Sequence, residues 1–369
     1  MKIRDVLIFS LLLLLVTPYR SYADSNSNAD KKISDRVAIG STFSAPVKYE
    51  NNLYFLATTG VLYKSNLDLS SPEVLFDGKK QTISSLTLYG TVLYWGEGVH
   101  ADKSTTLHAY DLKANKMIKE TTVDGHIERG TLLRDNVLYV GLGYGGIAAF
   151  KASTLEKIWQ TRKINGKDLH SDGNIVFVEK KICTTAVYDF KGIVCLELST
   201  GKITNTFELK KNPKSEIVAT DSLIVGFATE ANLSDSKWNI PSDLYVVDVK
   251  NNKLRFEKEL RGFNFFAPLI TADQAYVTLS TGDFNTVSLK NGNISYIGEF
   301  AEPFINNPFM HKNNFCALGI MGKFMCFSKN KNGYGIANDS RIMETPIGKI
   351  VNLGGKVYAP SRIGYFIVE

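Results

Sequence analysis

Residues 137–160 read VLYVGLGYGGIAAFKASTLEKIWQ. An apolar segment runs into a glycine-rich reversal. A second apolar segment opens at Gly146, and after a polar turn a third ends on Ile158-Trp159-Gln160. Three short segments rich in β-formers, separated by turn residues, predict an antiparallel meander rather than a helix. The first two segments have no polar alternation, so the sheet is apolar on both faces. Such a sheet cannot bury itself and needs a neighbour on each side.

The neighbours recur along the chain. A short β-forming triplet appears at Leu53-Tyr54-Phe55, Leu93-Tyr94-Trp95, Leu138-Tyr139-Val140, Ile175-Val176-Phe177, Leu223-Ile224-Val225, Ala275-Tyr276-Val277, Phe315-Cys316-Ala317 and Val357-Tyr358-Ala359. The steps between them are 40, 45, 37, 48, 52, 40 and 42 residues, the length of a four-stranded blade. A turn residue such as Asn52, Gly90, Asn136, Asp221, Asn314 or Gly355 precedes the triplets. A glycine often opens the next strand, as at Gly192, Gly322 and Gly364. The expectation is an all-β, eight-bladed β-propeller of four-stranded antiparallel blades, occupying residues 33–369 as a single domain. The eighth copy ends after its third strand, while an orphan segment, Arg36-Val37-Ala38-Ile39, precedes the first copy. This N-terminal strand is therefore expected to complete the last blade and leave no open edge.

Residues 1–23 have the pattern of a signal peptide: Lys2 and Arg4, an uncharged run at 6–16 (VLIFSLLLLLV), then Ser21-Tyr22-Ala23. Cleavage after Ala23 is expected, with no lipobox cysteine, followed by a flexible lead-in over 24–32 (DSNSNADKK). The formal charge is +6. Losing Lys2, Arg4, Asp5 and Arg20 takes it to +4, too mild and too dispersed for a nucleic-acid partner. Periplasmic location is the expectation. Four cysteines in an oxidising compartment suggest two disulfides. Cys183 with Cys195 and Cys316 with Cys326 would each bridge one hairpin. Ile320-Met321-Gly322 forms a three-residue loop that sets the second pair opposite each other. Reduced, buried thiols remain the alternative.

The unit of strand, glycine, strand, x-x-T-G-K turn and strand with Trp resembles the PQQ-repeat (quinoprotein-like) β-propeller family. The copies that carry the likeness are 137–160 and 192–207 (GIVCLELSTGKITNTF). Quinoprotein dehydrogenases of that family carry Trp in most blades and an adjacent Cys-Cys pair. This chain has Trp95, Trp159 and Trp238 and no adjacent cysteines. It is more similar to the cofactor-free, BamB-like branch, which implies no cofactor, no catalysis and a protein partner in outer-membrane β-barrel assembly. Leu260-Arg261-Gly262, followed by Ala267-Pro268 across Phe263-Asn264-Phe265-Phe266, two residues more than that branch has, resembles its partner-contacting loop.

Catalytic spacings of the G-x-S-x-G, H-E-x-x-H and EF-hand kinds do not occur. His100, with Glu97 and Asp102 near it in sequence, has the residue types of a metal site, but a solvated hairpin is the favoured reading. His108 reads as a packed strand residue. The glycine-rich 139–146 stretch reads as a hairpin, not a phosphate loop. Asn232, Asn293 and Asn338 begin Asn-x-Ser sequences that matter only in a glycosylating host.

In a propeller, the hairpins between second and third strands and the links between blades share one face. The hairpins at 96–106, 181–191 and 230–242 and the link at 261–266 should crowd that face. Trp238, Leu260, Arg261, Phe263 and Phe265 are the partner-binding candidates there, with tucking against a neighbouring blade as the alternative. The expected function is an exported, monomeric protein-binding scaffold for an envelope or outer-membrane protein, touching the membrane only through its partner. The alternative is a propeller enzyme or small-ligand binder with a site on the axial channel.

Overall fold

The computed structural model describes residues 36–78, 80–100, 102–232, 237–331 and 333–368. The expected signal peptide and lead-in lie outside them. Among the described residues, strands form eight four-stranded antiparallel sheets and one two-stranded ribbon, with no helix. We number the sheets as blades in chain order and letter their strands a to d from the axis outward. Blades 1–7 span 47–77, 87–124, 131–161, 176–208, 218–260, 269–299 and 309–341; blade 8 spans 351–367. First strands of neighbouring blades approach one another around the axis, as between blades 2 and 3 and blades 4 and 5.

The ring closes as the termini predict. Arg36–Ala38 pairs antiparallel with Gly364–Ile367 as strand d of blade 8, with Val37 opposite Tyr365. Only glycine fits at Gly364: its φ is +149°, and a Cβ would stand 1.9 Å from the Val37 carbonyl oxygen.

Each interface between neighbouring blades is filled by its own apolar cluster, including the one between blades 8 and 1. Strand b shows why. Its side chains alternate between the two faces, so Leu53 and Phe55 pack toward blade 8 while Tyr54 packs toward blade 2. The structure corrects the repeat register in two blades. Val176 and Phe177 belong to the first strand of blade 4, with Ile175 just before it, and the equivalent triplet is Ile182-Cys183-Thr184 in strand b. In blade 5 the equivalent triplet begins at Ile224, because Ile224 faces blade 4 and Val225 faces blade 6. The corrected steps are 40, 45, 44, 42, 51, 40 and 42 residues.

The middle residue of the triplet is Tyr in five blades: Tyr54, Tyr94, Tyr139, Tyr276 and Tyr358. Its ring lies in the inter-blade core, and in three blades its hydroxyl donates to a turn carbonyl of the next blade. Tyr94 reaches Ala152 (3.1 Å), Tyr139 reaches Leu198 (3.4 Å) and Tyr358 reaches Leu67 (2.6 Å). In blades 4 and 7 the position is Cys183 and Cys316. Each is disulfide-bonded to the residue directly opposite, Cys195 and Cys326, with Cα atoms 4.1 Å apart.

All seven c–d pairs in blades 1–7 carry a register shift, whereas the three-residue latch pairing carries none. A bulge adds twist to the strand that holds it.

Candidate metal centre

The b–c hairpins and the links between blades meet on one face, as the topology requires. On the sector over blades 2, 3 and 4 they bring together residues far apart in sequence. His100 comes from the hairpin of blade 2, and His126 and Glu128 from the link between blades 2 and 3. His170 and Asp172 come from the link between blades 3 and 4. One ligand atom each from His100, His126, His170 and Asp172 lies within 4.8 Å of all the others.

Backbone contacts position these groups. Gly143 and Ser171 exchange two hydrogen bonds of 3.0 Å, which pins the blade 3 hairpin to the following link. His170 and Asp172 flank Ser171 and project to the same side. The Gly125 N–H donates to the Lys103 carbonyl (2.8 Å), fixing the link that carries His126 against the blade 2 hairpin. Gly143 leaves room for the imidazole: a Cβ there would fall 2.1 Å from His126 Cε1.

One carboxylate oxygen, Asp172 Oδ1, lies 2.7 Å from His170 Nε2 and 3.1 Å from His126 Nε2. His100 Nδ1 is 3.7 Å from Asp172 Oδ2 and 3.8 Å from Glu128 Oε1. Glu128 Oε1 is 3.4 Å from His126 Nε2. His126 and His170 are buried, whereas the His100 side chain is 34% exposed. Tyr144 and Tyr188 stand at the solvent side, their hydroxyls each 3.5 Å from His100 Nε2.

The electrostatics follow from burial. Burial raises the Asp172 carboxyl pKa, but hydrogen bonds from His126 and His170 and their charge outweigh that and hold it well below the usual carboxylate range. Glu128 is pushed up to about 7, by burial first and then by the charge of Asp172. Burial alone would lower His126, yet the hydrogen bond to Asp172 and the two carboxylate charges raise it. Imidazole and carboxylate donors without sulfur suit borderline divalent ions such as zinc.

Sequence reasoning singled out His100 but gave it the wrong neighbours. Glu97 points to the buried His108, 3.2 Å away, and Asp102 accepts a hydrogen bond from the Val99 N–H (2.9 Å). His108 stacks on Trp95 with ring centroids 4.8 Å apart, as a packed strand residue should. His126, His170, Asp172 and Glu128 were missed. Their common signal is topological, since all lie in links between consecutive blades.

The partner-binding candidates lie on the same face, around blades 5 and 6. Leu260 is buried in the core between those blades. Phe263 and Phe265 are buried with Ala231 in a satellite cluster, so neither reaches the surface. Trp238 stacks on Phe263 (6.2 Å) and stays 37% exposed. Arg261 is exposed along its side chain, but its guanidinium forks onto Asp283 (2.8 and 3.1 Å) and meets Glu299 (2.8 Å) of blade 6. On the axis, a cavity of about 760 Å³ is lined largely by the first strands of blades 5 and 6; Lys349 and Glu216 pair across it at 3.0 Å.

No protein-family model matches the sequence, and no curated protein matches it. Solved structures do. The chain is similar to the computationally designed Ika8 protein, with a TM-score of 0.70, 10% identity, and 89% of this chain and 96% of that one covered. It is similar to BamB from Moraxella catarrhalis, with a TM-score of 0.68, 12% identity and coverage of 90% and 96%. At such identities the likeness is one of fold: a BamB-like propeller.

Proposed function

We propose that the protein is an exported propeller scaffold whose loop face is organised around one divalent transition-metal ion, and that a protein partner docks on that face. The observation that carries the metal reading is the convergence of His100, His126, His170 and Asp172 from three successive blades, with two of the imidazoles buried. Surface carboxylates gather without purpose, but buried histidines aimed at a shared carboxylate are costly unless something uses them. No catalytic step is assigned.

The scaffold reading rests on the closed, BamB-like ring and on the length of the hairpins crowded on one face. Trp238 and Arg261 are its surface candidates, because they alone of the five predicted contact residues reach solvent. Export to the periplasm is supported by the pattern of residues 1–23 and by the two disulfides. The turn at Ser199-Thr200-Gly201-Lys202 supports a degenerate PQQ-type repeat. An envelope or outer-membrane assembly partner is the finer form of the same reading.

The test is titration calorimetry of untagged protein with zinc, alongside elemental analysis of the protein as purified. One equivalent should bind. His126→Ala and His170→Ala should each weaken binding by more than the ~10–100-fold typical of outer-shell changes. A wild-type protein that takes up no zinc, cobalt or manganese would remove the metal reading. For the partner, crosslinked envelopes should yield a stoichiometric protein that is lost in a Trp238→Ala, Arg261→Ala double variant; equal recovery by that variant would exclude this part of the face.

A further inference from the structure

We propose that Glu128 is a fifth ligand, so that the chain closes the ion's coordination shell with three imidazoles and two carboxylates and the ion is a structural clasp across blades 2, 3 and 4. This rests on the metal reading above and narrows it to a role.

Distance is the first argument. Bonds of about 2.0–2.2 Å place neighbouring ligand atoms roughly 3.0–3.5 Å apart. Glu128 Oε1 stands 3.4 Å from His126 Nε2 and 3.8 Å from His100 Nδ1. Asp172 approaches the same two rings with separate oxygens, Oδ1 at 3.1 Å from His126 and Oδ2 at 3.7 Å from His100. Glu128 is not among the four residues whose ligand atoms lie mutually within 4.8 Å, so binding takes a shift of its side chain toward the ion.

Charge is the second. Two carboxylates and three neutral imidazoles sum to −2, which a divalent ion cancels. Both carboxylates are largely withdrawn from water, at 14% and 19% side-chain exposure, where an uncancelled pair is expensive. The adjacent Arg129 is turned elsewhere: Nη1 lies 4.0 Å from Glu216 and the guanidinium sits over the Phe266 ring at 5.6 Å. Arg129 and His126 offset the Glu128 charge only in part, and a divalent ion held between the two carboxylates would complete the cancellation.

The consequence is chemical. Metal centres that catalyse keep a position for water or substrate, whereas structural centres are closed by protein atoms. Five protein donors leave no such position. The nitrogen-rich, sulfur-free set favours zinc, cobalt, nickel and copper(II) over copper(I), magnesium and calcium.

Cobalt(II) reads out coordination number directly, because its visible d–d bands are intense in four-coordinate sites, intermediate in five-coordinate ones and weak in six-coordinate ones. Wild-type protein loaded with cobalt should show bands of intermediate intensity and should not change on adding azide. Glu128→Gln should bind cobalt about 10–100-fold more weakly, and Glu128→Ala should open a position and change its spectrum with azide. Asp172→Asn serves as the control that removes a ligand common to both readings. Identical spectra for wild type and Glu128→Gln, or an azide-induced change in wild type, overturns the fifth ligand while leaving the metal site standing. Failure of wild type to bind cobalt at all removes the metal reading itself.

Discussion

Gly143 sits with φ +54° directly against the His126 ring. Gly143→Ala should cost about 1–2 kcal/mol through the left-handed backbone alone. It should also displace the imidazole, weakening zinc binding at least tenfold; calorimetry and thermal unfolding measure the two effects separately. A second residue sets an acid limit on stability. Burial raises the Asp248 carboxyl pKa, but hydrogen bonds from Asn251 and Arg255 outweigh it and bring it to about 2. A folded pKa below the unfolded one stabilises the fold above pH ~4, and that stabilisation fades as pH falls toward 2. Asp248→Asn should lose on the order of 2 kcal/mol at neutral pH and show a flatter acid limb in denaturant titrations run from pH 6 to 2. At this scale the sequence was only partly legible. His100 was recognisable as a loop histidine, but its partners are 26, 28, 70 and 72 residues away. Only the repeat, used as a ruler that puts His126 and His170 at the same point after two successive blades, could have joined them. An aromatic in a connection looks exposed, yet Phe263 and Phe265 are covered by Ala231 and Ile240 of the neighbouring hairpin.

Strand b is the element that organises this protein. The repeat was legible because six of its eight triplets combine apolar residues with a preceding turn residue in the same phase. Blade 4 escaped because its strand b continues into Thr184 and Thr185, while its first strand happens to be apolar. Cys183 and Cys316 stand where five other blades place Tyr, so the disulfides occupy the joint between blades as well as bridging strands. Removing either bridge by paired Cys→Ala substitution should cost about 2–3 kcal/mol, from the short loops they close. The two losses should add, because the bridges lie in separate inter-blade cores. Denaturant midpoints of the single and combined variants check this, and a markedly non-additive pair would mean the two cores communicate. Tyr358→Phe keeps the ring and removes only the hydrogen bond from blade 8 to the Leu67 carbonyl of blade 1. It should cost about 1 kcal/mol and leave the far-ultraviolet spectrum unchanged.

For the whole molecule, eight inter-blade clusters in a closed ring mean that no blade is dispensable and none is terminal. Removing residues 35–40 strips strand d from blade 8 and exposes the edge of Gly364–Ile367. The truncated chain should unfold at a lower denaturant midpoint and self-associate through that edge; an unchanged midpoint would show that the latch contributes nothing. A metal ion bound only by the folded state would add about 4 kcal/mol at a free concentration a thousand times its dissociation constant. Melting temperature should therefore climb with zinc and fall back with a chelator. The latch also puts the fold on a clock. Arg36–Ala38 is among the first of the described residues to be synthesised, and its partner, Gly364–Ile367, among the last. At about 5–20 residues per second, the interval between them is roughly 15–65 seconds. Until Gly364–Ile367 is delivered, whatever has folded is at most an open arc with a free strand at one end and an unpaired edge at the other. Nothing made before Gly364 can close it, so a chain cut short within blade 8 stays an open arc with an exposed edge.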